Sequence, residues 1–143
     1  MDIGRLIEGR ASSDVISCTA DTPVREAVRL LASKRIGAIP VMEGGRVAGI
    51  FSERDVIYRL ADEGDACLSR SLGEVMTSPA ITVDRSSAVL DALALMTKRR
   101  ISHLPVVDGE AMCGFISIGD LVKARLDEIE HEAEAMREYI QTA

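Results

Sequence analysis

Two stretches of the chain carry apolar residues at matching positions, 65 residues apart. Each stretch contains apolar residues at intervals of three and four, which is the spacing of one face of an amphipathic helix. The two sets are Val24, Ala27, Val28 and Leu31, and Val89, Ala92, Leu93 and Met96. The triplets Ile39-Pro40-Val41 and Leu104-Pro105-Val106 superpose at the same offset. The chain is therefore predicted to be a tandem repeat of one unit.

Each repeat is predicted to contain three strands and two helices in the order β-α-β-β-α. The strands are predicted over residues 15–18, 38–42 and 47–51 in the first repeat, and over 80–83, 103–107 and 112–117 in the second. A turn with a glycine, Gly44 or Gly109, separates the last two strands of each repeat, which predicts a hairpin. The closing helix is expected to begin near Ser52 in one repeat and near Ser117 in the other.

The repeat divides the chain into four segments and indicates a mixed α/β (α+β) fold. We expect the first repeat over residues 10–62, a connector over 63–79, the second repeat over 80–127 and a C-terminal helical extension over 128–143. A unit of roughly 50–60 residues is marginally stable by itself, because it buries too little of its surface. The two repeats are therefore expected to share one core.

The last predicted helix carries a further apolar pattern, with alternating steps of four and three residues. Its members are Val122, Leu126, Ile129, Ala133, Met136 and Ile140. This spacing fits a long helix that packs on its own domain, and it fits equally a helix that self-associates across a dimer. The sequence does not decide between these two interpretations.

Composition restricts the classes of partner. The chain has 143 residues, a formal net charge of −6 and 3% aromatic residues. These values argue against nucleic acid, because phosphate backbones require clustered cations and bases require stacking surfaces. No apolar run approaches the ~18 residues of a membrane span, and the first residues lack the pattern of a signal peptide. No membrane partner is therefore expected. The three cysteines form no CxxC pair, so we expect a reducing compartment, the cytoplasm.

A Gly-x-x-Ser-x-x-Asp motif joins the last strand of each repeat to the helix after it, at Gly49–Asp55 and at Gly114–Asp120. With these motifs, the apolar-Pro-Val triplets and the repeated element order, the chain resembles a tandem pair of CBS domains over about residues 10–127. The resemblance implies two repeats packed sheet to sheet with pseudo-twofold symmetry and clefts between them. It also implies an adenosine-containing ligand (AMP, ADP, ATP, NAD(H) or S-adenosylmethionine) and a disk-like homodimer.

The resemblance assigns the ribose of such a ligand to Asp55 and Asp120, with Ser52 and Ser117 near the ribose and phosphate. A carboxylate can accept hydrogen bonds from both hydroxyls of a ribose, which supports the assignment. Either aspartate could instead only cap or charge the first turn of its helix, where a negative charge is favourable. The occurrence of both inside a repeated motif favours the ligand.

The phosphates of a ligand require cations, and the two repeats differ in what they offer. Arg54 precedes the first aspartate, whereas Gly119 occupies the equivalent position in the second repeat, so the two clefts are expected to be chemically unequal. The second repeat has Ser102 and His103 upstream, and the resemblance assigns His103 to a phosphate contact. His103 could equally be a half-buried strand residue, and Arg100, a further candidate, could be a solvated charge at a helix end.

The adenine ring requires an apolar slot, which each repeat is expected to supply from its own residues. The predicted slots consist of Ile16, Ile36, Ala38, Ile39 and Pro40 in the first repeat, and of Ile81, Ile101, Leu104 and Pro105 in the second. Thr77 precedes the first strand of the second repeat, where it could touch polar atoms of the ligand or cap its own loop.

The residues distinguish between an enzyme, a regulatory ligand-binding module and a ligand-free interaction module. Catalysis is disfavoured because the chain has two histidines and no HExxH, GxSxG or P-loop motif, so no catalytic residue and no metal ligand is predicted. The predicted function is a regulatory module that senses an adenine nucleotide or dinucleotide and signals to an unidentified effector protein. The alternative is a ligand-free dimerisation module that acts through its acidic C-terminal helix.

Overall fold

The computed structural model describes residues 1–142 and contains two three-stranded sheets with the same strand order. The strands are β1 (Cys18–Thr19), β2 (Ala38–Glu43) and β3 (Arg46–Ser52) in one sheet, and β4 (Val83–Asp84), β5 (His103–Asp108) and β6 (Ala111–Ser117) in the other. The helices are α1 (Ile3–Leu6), α2 (Val24–Lys34), α3 (Glu53–Glu63), α4 (Leu72–Val75), α5 (Val89–Arg99) and α6 (Ile118–Thr142). Two 3₁₀ segments occupy Ser12–Asp14 and Gly64–Ser69. This mixed α/β architecture with its long last helix confirms the predicted fold class.

Both sheets pair their strands in the same way. β1 lies parallel to β2, β2 lies antiparallel to β3, and the β4-β5-β6 sheet repeats both pairings. Each hairpin has an irregularity at corresponding positions, between Val41 and Met42 and between Val106 and Val107. The 65-residue repeat of the sequence is thus also a repeat of backbone geometry, and the two sheets meet where β3 lies against β6.

The first strand of each repeat is shorter than predicted and begins later. Residues 15–17 and 80–82 lie outside the parallel ladders, each of which pairs only two residues. In the first repeat, the amide of Val15 donates to the carbonyl of Ser12 at 3.2 Å, so the backbone there belongs to a 3₁₀ turn. Because of this turn, Val15 and Ile16 line a cleft instead of extending the sheet. The predicted extents of both first strands are therefore wrong.

Two hydrophobic clusters, rather than one shared core, stabilise the fold. Each cluster combines one repeat with the short helix that leads into the other repeat. Ile3 and Ile7, at the start of the chain, are buried with the second repeat, whereas Leu72 and Val75 of α4 are buried with the first. The amide of Ile3 donates to the carbonyl of Ser87 at 2.8 Å, which fixes this exchange at the second repeat. The expectation of a common core is corrected, because exchanged segments join the repeats.

The helix α6 leaves the rest of the fold after about three turns. Leu121 is fully buried and Glu128 is half-buried, but every residue from Ile129 to Thr142 is exposed. Of the two interpretations of this helix, packing on its own domain therefore applies only as far as Glu128. Within residues 1–142, no helix combines the length and the apolar character that crossing a bilayer requires.

Candidate functional site

The repeated serine and aspartate form the N-terminal caps of the two closing helices. In the first repeat, the amide of Ser52 donates to Asp55 Oδ2 at 2.8 Å, and the amide of Asp55 donates to Ser52 Oγ at 3.3 Å. The corresponding distances for Ser117 and Asp120 are 2.9 and 3.1 Å. Such a capping box satisfies amides that the first turn of a helix leaves unpaired. One oxygen of each carboxylate therefore has a structural role.

The other oxygen of each carboxylate binds a side chain from a distant segment. Asp55 Oδ1 accepts a hydrogen bond from the hydroxyl of Thr77 at 3.2 Å. Asp120 Oδ1 accepts one from Nη2 of Arg10 at 3.4 Å. Both donors lie in the segment that precedes the first strand of the other repeat, and both are exposed. Because these bonds are long and accessible to water, hydroxyls of a ligand can replace them.

A cleft of about 330 Å³ opens beside Asp120, and we call it the Asp120 cleft. Its walls include Ile16, Ile36 and Ala38 from the first repeat, and His103, Phe115, Ser117 and Asp120 from the second. Its volume lies near the lower end of the ~300–1,000 Å³ that small-molecule sites span. A carboxylate, a hydroxyl and an apolar wall therefore meet in one space, and both repeats contribute to it.

The residues predicted to hold adenine are not grouped by repeat. Ile16, Ile36 and Ala38 face the carboxylate of the second repeat, Asp120, although the sequence suggested that each repeat supplies its own slot. Ile16 reaches this cleft because the exchange of leading segments carries the chain before β1 alongside β6, whereas Ile36 and Ala38 reach it where the two sheets meet. The apolar wall and the carboxylate of one cleft thus come from different repeats.

Four of the other predicted slot residues are buried behind the surface of the clefts, and two are half-buried. Ile39 and Leu104 are completely buried in the two clusters, and the prolines that follow them, Pro40 and Pro105, are also buried. Ile81 and Ile101 are half-buried and pack against the second cluster. Ile39, Leu104 and the two prolines support the strands β2 and β5 from within, so they position the walls of a cleft rather than form them. Ile81 and Ile101, at the positions equivalent to Ile16 and Ile36, stay predicted for the wall of a cleft beside Asp55.

The predicted cations have other partners or open surroundings. Nη1 of Arg54 donates to the carbonyl of Arg100 at 2.7 Å, so this guanidinium links the two repeats. Arg100 ends α5 in the left-handed conformation, with φ of 55°. The carbonyl of Ser102 accepts from the amide at the start of α6, and Gly119 in the first turn of α6 is exposed. The two repeats therefore differ in charge at the start of the closing helix, as the sequence indicated.

Arg10 is the cation that sequence reasoning missed. It lines the Asp120 cleft and forms an ion pair with Asp120, but the two residues are 110 positions apart in the chain. The position equivalent to Arg10 in the second repeat is Val75, so the internal repeat carries no signal for it. Only the folded position of the leading segment reveals this contact.

His103 is held at the base of the cleft by an aromatic partner. Its ring stacks on Phe115 with centroids 5.5 Å apart and an angle of 19° between the planes, and its Nδ1 lies 3.1 Å from Ser102 Oγ. Burial lowers the pKa of His103, although the carboxylates of Asp120 and Glu53 act in the opposite direction. The imidazole is therefore mainly neutral at pH 7, and it offers hydrogen bonds rather than a charge.

Acidification is expected to destabilise the protein through His103. The unfolded chain binds a proton at the ordinary pKa near 6.5, whereas the folded imidazole binds it only at lower pH, so the unfolded state takes up more protons in this interval. The contribution is complete above pH 6.5 and is lost as the pH falls from there through the folded pKa. Urea unfolding between pH 7.5 and about 5 should therefore show a smaller decrease for His103→Gln than for the wild type. Equal decreases would contradict the assignment, since the exposed His131 is present in both proteins.

Comparison with known proteins gives matches along nearly the whole chain. The CBS domain family model matches residues 4–62 and 72–127. The mitochondrial CBS domain-containing protein CBSX3 of Arabidopsis thaliana is 37% identical over 129 residues, which cover 87% of this chain and 63% of CBSX3. The chain thus spans less than two thirds of that relative.

Solved structures also match the fold, over a similar share of the chain. The CBS-domain containing protein ATU1752 from Agrobacterium tumefaciens is 34% identical with a TM-score of 0.80, over 87% of this chain and 99% of ATU1752. The CBS domain protein PAE2072 from Pyrobaculum aerophilum, complexed with AMP, is 27% identical with a TM-score of 0.72, over 84% of this chain and 89% of PAE2072. With the repeated capping motif and the shared cleft, these matches establish that the chain belongs to the CBS domain family and carries two CBS domains in tandem.

Proposed function

We propose that this CBS-domain pair is a regulatory module that binds an adenosine-containing ligand in the Asp120 cleft. The observation that supports this most strongly is that the two oxygens of the Asp120 carboxylate have different surroundings. Its Oδ2 is committed to the helix cap, whereas its Oδ1 borders an apolar cleft and is held only by an exposed arginine. A ribose offers two adjacent hydroxyls to such a group, and the apolar wall suits an adenine ring.

The charges of the cleft favour AMP among the adenine nucleotides. Arg10 is the only arginine or lysine among the residues that line it, whereas Asp14 and Asp120 are acidic and His103 is mainly neutral. One guanidinium matches one phosphate, but the additional phosphates of ADP, ATP or NAD(H) bring further negative charge near two carboxylates. We therefore expect those ligands to bind more weakly. The complex of PAE2072 with AMP supports the same ligand class.

Ligand binding exchanges the partner of Arg10. The ribose hydroxyls take the place of the guanidinium on Asp120 Oδ1, and the released guanidinium then binds the phosphate. Arg10 thus competes with the ribose hydroxyls for Asp120 Oδ1, and after its release it binds the phosphate. Its exposed side chain can make this change without moving the core.

Replacing Arg10 with glutamine is expected to shift two affinities in opposite directions. AMP should bind about tenfold more weakly, because its phosphate loses a charged donor. Adenosine should bind about two- to fivefold more tightly, because the ion pair that competes for Asp120 is removed. Isothermal titration with AMP and adenosine measures both changes. Arg46→Gln is the matched control, because Arg46 is also an exposed arginine in an ion pair but does not line the cleft. This variant should leave both affinities unchanged.

A parallel loss of both affinities in Arg10→Gln would contradict the exchange. Binding of ATP or NADH more tightly than AMP would contradict the charge argument but would leave the adenosine site itself intact. The ligand-binding function would be refuted if no ligand gave a heat of binding in the titration and none raised the melting temperature of the protein. The ligands to test are adenosine, AMP, ADP, ATP, NAD, NADH and S-adenosylmethionine.

We propose a second, weaker site for the same ligand class at Asp55. Its free oxygen is held by Thr77 rather than by an arginine, so a ribose there displaces a neutral hydroxyl. The neighbouring Arg54 is bound to the carbonyl of Arg100, and it must leave that carbonyl to reach a phosphate. The two sites are therefore expected to differ in affinity.

We propose that the output of the module is mechanical and not catalytic. Both repeats line the Asp120 cleft, so a bound ligand changes the distance and angle between them. A homodimer would transmit that change to an effector protein. All three cysteines are free thiols, which supports a reducing compartment, and we propose the cytoplasm. Since the name of CBSX3 assigns that relative to mitochondria, fractionation of cells tests this location directly.

A further inference from the structure

The side of α6 that faces away from Leu121 carries an apolar stripe, which is exposed along its whole length in residues 1–142. The stripe consists of Val122, Leu126, Ile129, Ala133, Met136 and Ile140, all of them exposed. Leu126 and Met136 are each 59% exposed, and Ile140 is 68% exposed. Contiguous exposed apolar surface of this kind marks an interaction site, so a partner is expected to cover the stripe.

The stripe has the heptad spacing of a coiled-coil seam. The a positions are Leu126, Ala133 and Ile140, and the d positions are Val122, Ile129 and Met136. The flanking e positions are Lys123, Glu130 and Arg137, and the flanking g positions are Arg125, Glu132 and Tyr139. These flanking charges decide which partner the stripe accepts.

A parallel, in-register pairing of two copies matches the flanking charges. In that arrangement a g residue meets the e residue five positions later on the other helix. Glu132 then faces the partner's Arg137, and the partner's Glu130 faces Arg125, whose Nη1 also donates to Glu128 of its own helix at 2.9 Å. The twofold symmetry produces each contact twice, and every one of these contacts joins opposite charges.

An antiparallel pairing opposes the same charges unfavourably. When the stripe is aligned about its centre, g positions face g positions and e positions face e positions. Glu130 and Glu132 then each face their own copies, and Lys123 faces the partner's Arg137. Like charges in such positions are repulsive, so the sequence of charges selects against this orientation.

We propose that α6 forms a parallel, in-register, two-stranded coiled coil with α6 of a second copy over residues 122–140. The inference deepens the homodimer that the proposed function includes, and it is independent of the ligand. The charges that flank the stripe complement those of a second, parallel α6, so we assign a second copy of this chain as the partner that covers the stripe.

Charge reversal in the full chain tests the contact between Glu132 and the partner's Arg137. Glu132→Arg or Arg137→Glu alone converts two attractive contacts into repulsive ones and should raise the dimer dissociation constant at least about tenfold at low salt. The double variant restores opposite charges, and its dissociation constant should return to within about threefold of the wild type. Sedimentation equilibrium measures these values, and Glu134→Arg, on the outer side of the helix, is the matched control.

Cross-linking tests the orientation. A cysteine introduced by Met136→Cys meets its own copy only if the helices are parallel and in register, so mild oxidation should link the chains. Glu134→Cys, which faces away from the seam, and the wild type with its native cysteines should remain unlinked. Efficient linking between mixed Leu126→Cys and Met136→Cys chains, without self-linking of either, would show an antiparallel pair and overturn the proposal.

The remaining outcomes distinguish a failure of the coiled-coil proposal from a failure of the homodimer. A dimer that Glu132→Arg leaves unchanged and that Met136→Cys fails to link would overturn the coiled coil, while the homodimer of the proposed function would stand. A chain that sediments as a monomer at every concentration would overturn both. Neither outcome affects the nucleotide site, which titration with AMP tests separately.

Discussion

Replacing Asp120 with asparagine is expected to weaken AMP binding at the Asp120 cleft by about 10- to 100-fold, which is the size of a lost hydrogen bond to a charged group. Asp120 is one of two carboxylates that line that cleft, and it is the half-buried one, so its hydrogen bonds to both ribose hydroxyls are screened less by water than bonds to the exposed Asp14. The asparagine carbonyl can still accept from the amide of Ser117, so the start of α6 is retained. Isothermal titration with AMP measures the loss, and the variant's melting temperature should remain near that of the wild type.

Two variants serve as controls for this result. Asp127→Asn makes the same change of charge on an exposed position of the same helix and should leave the affinity for AMP unchanged. Asp55→Asn should affect only the second, weaker site. Wild-type affinity in Asp120→Asn would remove the ribose from Asp120, and the capping box would then be the whole role of this carboxylate.

Substitution of Gly49 by alanine is expected to destabilise the protein by about 1–3 kcal/mol, as overpacking of a tight contact does. A Cβ atom at this position would lie 2.7 Å from Met76 Sδ and 2.8 Å from the carbonyl oxygen of Thr77. That carbonyl belongs to a backbone bridge, in which it accepts from the amide of Ile50 at 3.0 Å and the amide of Thr77 donates to the carbonyl of Ile50 at 2.9 Å. Because the backbone cannot yield as a side chain does, the bridge must open.

Gly114→Ala, at the equivalent position of the second repeat, is the matched control. The nearest atom to its Cβ would be Ile7 Cδ1 at 3.1 Å, which is the flexible end of a side chain. Both variants reduce the entropy of the unfolded chain equally, so the difference in their free energies of unfolding isolates the contact. Urea unfolding of the two variants measures it, and Gly49→Ala should also weaken the Asp55 site because it displaces Thr77. Equal stability of the two variants would contradict this account.

Local features of the fold were predictable because they depend on residues close in sequence. The capping boxes join Ser52 to Asp55 and Ser117 to Asp120, three positions apart, and the repeated motif shows both. The hairpins β2-β3 and β5-β6 likewise follow from two short apolar runs on either side of a turn that contains glycine. The extent of β1 and β4 was not predictable, since each two-residue ladder depends on a strand about twenty positions away.

The duplication, the order of elements in each repeat and the pair of aspartates at equivalent helix starts follow from the order of the amino acids, because short windows that occur twice encode them. The packing of each leading segment with the opposite repeat, as Ile3 and Leu72 show, became visible only in the folded chain. That exchange brings Arg10 and Ile16 to Asp120, and the contact between the two sheets adds Ile36 and Ala38. Contacts of this kind depend on the burial of apolar surface between segments far apart in the chain, and no local pattern of residues encodes them.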